Sequence, residues 1–186
     1  MEKKKVIIVT DGDMSAKRAV EIAAINVGGR AISASAGNPT PLTGVEIIEL
    51  VKKTDEEPVI VMVDDKGNKG VGQGEQVMET LLNSDSINII GIVVVSSKGK
   101  DCRKLKLACS ITKNNKKVNK PVNKYGNPVS KDVICGDTLG ILTGKKDLLM
   151  VGIGDPGKMD YKDELLKGSP VTTRAIKEIL KRNDTN

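Results

Sequence analysis

Histidine is absent from this 186-residue chain, as are phenylalanine and tryptophan, and two tyrosines are its whole aromatic complement. Without imidazole there is no Ser-His-Asp or Cys-His relay, and zinc lacks its usual nitrogen ligand. Without aromatic faces there is no stacking platform for single-stranded nucleic acid. The core must therefore be built from Ile, Val, Leu, Ala and Met. Cysteine is scarce as well: Cys102, Cys109 and Cys135 are odd in number and form no C-x-x-C pair, so reduced thiols are expected, not a disulfide framework or structural zinc. No apolar run approaches the ~20 residues of a membrane span. Met1 to Lys5 leads directly into the first apolar stretch and leaves no room for a signal-peptide core. The expectation is a protein made in the cytoplasm, with no transmembrane segment.

What is present is organised around the stretch from Val59 to Glu75. Val59 to Val63 is an apolar run too short for a helix and rich in β-branched residues, which predicts a strand buried on both faces. Asp64 and Asp65 stand where that strand should stop. Gly67, Gly70, Gly72 and Gly74 follow, and Val77, Met78, Leu81 and Leu82 then give the stripe of an amphipathic helix. The same design occurs near the N-terminus, with Val6 to Val9 as strand, Asp11-Gly12-Asp13 as its end and Met14 to Val27 as helix. Adjacent parallel strands with right-handed crossovers open on one edge, so Asp11, Asp13, Asp64 and Asp65 make a candidate site. Carboxylates of this kind hold a hard divalent cation, Mg²⁺ or Ca²⁺, through oxygen; no cofactor is required. The alternative is local, since Asp after a strand commonly caps the next helix, as Asp13 can for the helix beginning at Met14.

Arg30 to Ser35 reads as a second strand and Val45 to Lys53 as a helix, with an ordered loop between them that contains Pro39 and Pro41. Ile89 to Ser96 reads as a fourth strand. This alternation predicts a single α/β domain over 1–186, a Rossmann-like or Toprim-like open, mostly parallel sheet flanked by helices. Leu148 to Gly152 is one more strand. Ser169-Pro170 offers an N-cap and a first-turn proline for a terminal helix.

Net charge is +6, yet Lys98 to Lys124 holds ten Lys and Arg against Asp101 alone, a local balance of +9. Alternation in Leu105 to Ile111, and more weakly in Val118 to Val122, predicts a basic β-hairpin or loop excursion over 98–131 that projects from the core sheet. Weak, salt-sensitive nucleic-acid binding is one role for it, and no specific nucleic-acid partner is expected. Gly152 to Gly157 spells G-x-G-x-x-G, but Pro156 and a polar continuation remove the helix that a dinucleotide site needs. Gly140 to Lys146 lacks the spacing of a P-loop.

Acids after the first and third strands resemble the Toprim arrangement, although Toprim proteins have Glu after the first strand and Asp-x-Asp after the third, where this chain has Asp11-Gly12-Asp13 and Asp64-Asp65-Lys66. A longer resemblance runs through Asp11-Gly12-Asp13, Ser35 to Leu42 with Asn38-Pro39-Thr40-Pro41, Asp64-Asp65-Lys66-Gly67-Asn68, Gly136-Asp137-Thr138, Val151 to Asp155 and Gly157-Lys158-Met159-Asp160. Together these are similar to the soluble stage V sporulation protein AE family of spore-forming Firmicutes. That resemblance implies a soluble, non-catalytic component of the machinery that moves dipicolinic acid, with calcium, across the spore inner membrane in sporulation and germination. Its partners would be other stage V sporulation proteins at that membrane, where it would sit peripherally, with dipicolinic acid or calcium as ligand and a homo-oligomer compatible with the pattern. Loops at strand ends are where a binding surface lies, which nominates Asp11, Asp13, Asn38, Thr40, Asp64, Asp65, Lys66 and Asp155. The reading leans against an enzyme; the rival is a Mg²⁺-dependent phosphohydrolase or nuclease using Asp11, Asp13, Asp64 and Asp65, and no catalytic residue is assigned.

Overall fold

A computed structural model describes residues 3–66, 72–98 and 101–185. Gly67, Asn68 and Gly70 of the loop singled out above lie outside the described residues. The elements in chain order are β1 (Lys4–Val9), α1 (Met14–Asn26), β2 (Arg30–Ala31), α2 (Gly44–Lys52), β3 (Val59–Met62), α3 (Gln73–Leu82), β4 (Ile87–Val95), β5 (Cys102–Arg103), β6 (Cys109–Ile111), β7 (Lys117–Val118), β8 (Ile134–Cys135), β9 (Met150–Ile153) and α4 (Pro170–Asn183), with three short 3₁₀ turns.

Seven strands form one sheet in the order β2-β3-β1-β4-β9-β6-β7, and β5 with β8 forms a separate pair. Every neighbour in the large sheet is parallel except β6 and β7. The continuous apolar runs suit this because a parallel sheet is covered on both faces. Alternation within β1 divides them: Val6 and Ile8 join α2 and α3 in one core, while Ile7 and Val9 join α1 and α4 in the other. Each such fully buried side chain contributes roughly 1.5–3 kcal/mol. A capping box of Thr43 and Glu46 starts α2. From β1 the chain first builds outward to β2 and β3 on one side, then crosses to β4 on the other. That reversal point is where open α/β sheets form a crevice for ligands.

The expected α/β architecture is thus present, and four local expectations change. The second strand is shorter than Arg30 to Ser35: it ends at Ala31, and Ser33–Ser35 turns as a 3₁₀ segment, where the Ser35 hydroxyl accepts the Met62 N–H at 2.9 Å. The antiparallel pair expected in the basic segment is β6 with β7, but β6 does not project; it lies in the sheet, parallel to β9. Cys109, Ser110 and Ile111 are all buried, and hydrophobic burial outweighs the charge of the surrounding lysines. Lys117 occupies the edge strand, where a charged side chain discourages further strand pairing.

The cysteines were expected as free thiols. Cys102 and Cys135 instead form a disulfide as directly opposed residues of β5 and β8, and Cys109 alone is free and buried. Their separation of 33 residues carried no sequence cue.

The last correction concerns α4. Ser169 has φ 45° and its side chain makes no capping bond. Asp163 does that work: its carboxylate accepts the N–H of Val171 at 2.7 Å and of Thr172 at 3.1 Å, and the Thr172 hydroxyl at 2.5 Å. Burial raises the Asp163 carboxyl above its usual range, opposed by these bonds. Asp163→Ala is expected to cost about 1–3 kcal/mol by stranding two buried N–H donors, whereas Ser169→Ala removes a buried hydroxyl that has no partner among the described residues and should not lower stability. Denaturant titration of the two variants distinguishes the caps; a loss in Ser169→Ala with none in Asp163→Ala would return the role to Ser169.

Candidate ligand site at the carboxyl edge of the sheet

Asp11 is fixed by the strand it follows. The N–H of Thr10 donates to the Val93 carbonyl at 3.1 Å, and its hydroxyl accepts the Val95 N–H at 2.9 Å, so the β1–β4 ladder is extended to the threshold of the loop. Asp13 then caps α1, accepting the N–H of Ser15 at 2.8 Å and of Ala16 at 2.9 Å. The Asp13 N–H in turn donates to Asp11 Oδ1 at 3.2 Å. Capping by Asp13 and its membership of the acidic site are therefore compatible.

Asp155 arrives from β9, on the far side of β4. Its Oδ1 accepts the Gly157 N–H at 2.9 Å, and its Oδ2 pairs with the ammonium of Lys158. One carboxylate oxygen from each of Asp11, Asp13 and Asp155 lies within 4.8 Å of the others.

Asp64 joins this edge through the backbone. Its N–H donates to Thr40 Oγ1 at 2.8 Å and its carbonyl accepts the Thr40 N–H at 2.9 Å. Its carboxylate accepts the Gly12 N–H at 3.2 Å and the Lys66 N–H at 2.9 Å. A Cβ on Gly12 would come within 2.5 Å of the Gly37 carbonyl, so only glycine allows the 36–41 loop to lie against the β1 loop.

The eight nominated residues thus separate. Asp11, Asp13 and Asp155 share one cluster, Asp64 touches it through Gly12, and Thr40 straps the 36–41 loop to Asp64. Asp65 turns away to the start of α3, accepting the Gly74 N–H at 2.5 Å and the Glu75 N–H at 3.2 Å. Asn38 and Lys66 are on the surface. Asp155 thereby stands in the cluster where the sequence reading put Asp65. Lys158 was missed as a site residue; its spacing of three from Asp155, across Gly157, was the available signal.

Three carboxylates so close are electrostatically costly. Burial first, then Asp13, Asp155 and Asp64, push the Asp11 carboxyl well above its usual range, against the bond from the Asp13 N–H. Burial likewise raises Asp64, opposed by Lys66 and Gly12. Lys158 is held above the usual lysine range although burial works against it, because its ammonium donates a hydrogen bond to Asp155, which also supplies negative charge. The donor set is all oxygen, which fits Ca²⁺ or Mg²⁺ and not a thiophilic metal.

A carboxyl whose folded pKa is raised favours folding below its unfolded value of about 3.9, and that contribution is lost as pH rises through the folded value. Asp11→Asn keeps the acceptor for the Asp13 N–H and removes the charge. The variant should match wild type in stability below about pH 4 and exceed it at pH 7–8, with a melting temperature a few degrees higher, about 2–8 °C. Thermal melts across pH test this; a lower melting temperature at neutral pH would mean that Asp11 is not strained in the folded protein.

No match to the chain was found among curated proteins or among solved structures. A family model described as Stage V sporulation protein AE1 matches residues 5–183. That span begins within β1, ends at the last residue of α4 and takes in every residue of the carboxylate cluster. The chain therefore belongs to the Stage V sporulation protein AE1 family, and its role is in sporulation.

Proposed function

We propose that this protein is a non-catalytic component of the machinery that moves dipicolinic acid, with calcium, across the spore inner membrane, and that the Asp11, Asp13 and Asp155 edge is its working surface. The observation that supports the reading is the convergence of three carboxylates from two separate loops within 4.8 Å. Such a cluster is unfavourable by itself and is relieved by a divalent cation. Asp11 and Asp13 would hold the cation from the β1 loop and Asp155 from the β9 loop, with Lys158 giving up its pairing as the cation enters. Asp64 positions the β1 loop through Gly12.

Among the described residues no helix is long and apolar enough to cross a membrane. In this reading the protein works peripherally, docked on other stage V sporulation proteins. The loops bearing Asn38 and Thr40, Asp64 to Lys66, and Asp155 stand on strand ends and keep a fixed register, as a docking surface requires.

Asp11→Asn with Asp155→Asn preserves side-chain size while removing two charges. Calorimetric titration of Ca²⁺ should show a dissociation constant at least about tenfold weaker, 1.4 kcal/mol per decade, and spores carrying the variant should be deficient in dipicolinate. Normal dipicolinate content, together with robust phosphatase or nuclease turnover by the purified wild type in Mg²⁺ or Mn²⁺, would replace this reading with the metal-dependent hydrolase.

A further inference from the structure

Beside the carboxylate cluster lies a cavity of opposite character. It has a volume of about 660 Å³ and is lined by Lys98, Lys124 and Lys131, with no Asp or Glu among the described residues of its wall. Among the described residues none of these three lysines has an ion-pair partner. The segment carrying Lys124 is well ordered: the Asn123 side chain accepts the N–H of Tyr125 at 3.0 Å and of Asn127 at 3.2 Å, and the Gly126 carbonyl accepts the Lys113 N–H at 2.9 Å. Val122 and Val129 supply apolar wall and Tyr125 an aromatic one, with the Lys124 ammonium 4.9 Å from the centre of its ring. The Asp155 N–H donates to the Lys124 carbonyl at 2.9 Å, so a single backbone bond joins the wall of this cavity to the acidic cluster.

We infer that this cavity binds a small organic dianion with a flat apolar body. Three lysines line one concave wall without an acidic residue among its described lining, and a ligand carrying two negative charges supplies the counter-charge that this wall lacks. The volume lies within the usual range of organic-ligand sites, roughly 300–1,000 Å³, and far exceeds what a bare inorganic anion fills. Apolar and aromatic wall between the lysines selects a planar body over a purely polar one. The inference deepens the proposed function and rests on it for the identity of the natural ligand. The protein would then take anion and divalent cation at neighbouring positions of opposite sign.

The probe is pyridine-2,6-dicarboxylate, titrated calorimetrically into the full chain in calcium-free buffer, with orthophosphate and citrate as comparison anions. Saturable binding at one site is expected, weakened at least about tenfold in Lys124→Gln with Lys131→Gln through loss of two charge-assisted bonds. It should be unchanged in Lys145→Gln with Lys146→Gln, whose lysines line a separate cavity that also contains Asp132. Tyr125→Ala should weaken the dicarboxylate and leave phosphate unaffected. Absence of saturable binding, equal losses in the two lysine pairs, or phosphate binding as tightly as the dicarboxylate, an adventitious ion only, would each overturn the inference. If dianion binding in vitro depends on Lys124 and Lys131 while spores carrying that pair of substitutions have normal dipicolinate content, the cavity stands and the transport reading falls.

Discussion

The hydrogen bond from the Gly12 N–H to the Asp64 carboxylate is the contact on which the carboxyl edge of the sheet depends. It ties the loop after β1 to the loop after β3, two strands that are already neighbours in the sheet. Gly37 closes against Gly12 from above, and Thr40 closes against Asp64 from the side. Three loops are thereby locked without any large side chain, in a chain that has almost no aromatic residues to fill space. The lock aims Asp11 inward, where Asp13 and Asp155 meet it.

That arrangement stores electrostatic strain. A buried carboxyl among other carboxylates is disfavoured when charged, and a single lysine, Lys158, offsets part of the cost through Asp155. Strain of this kind persists where the surrounding fold over-determines it. The cavity beyond Lys124 is of opposite character, lined by three lysines with no acidic residue among its described lining. Its proximity to the acids is a consequence of one strand, β9, whose exit loop carries Asp155 and is bonded to the 123–126 turn.

The basic segment shows how topology redistributes a sequence signal. Its charge density points to a surface excursion, and many of its lysines are exposed. Three buried residues, Cys109 to Ile111, nevertheless make it a strand beside β9. Without β6, β9 would be an edge strand, and the loop presenting Asp155 would lose support on one side.

Local chemistry determined much of this protein directly from sequence. Apolar runs at Val6 to Val9, Val59 to Val63 and Ile89 to Val95 are too short for helices and have no polar face, so they could only be strands covered on both sides. The stripes at Ala16 to Ala23 and Val171 to Leu180 have helical period, and Asp11 and Asp64 follow their strands by two residues and Asp13 by four, which places them at one edge once the strands are parallel. The order of strands in space was decided only by the tertiary structure, and what depends on it was hidden: Asp155 in place of Asp65 beside Asp11, the Cys102–Cys135 disulfide, and β6 within the sheet. Each is a contact between residues whose separation along the chain has no period or local propensity to announce it, and each forms because strands and loops from distant segments are packed against one another.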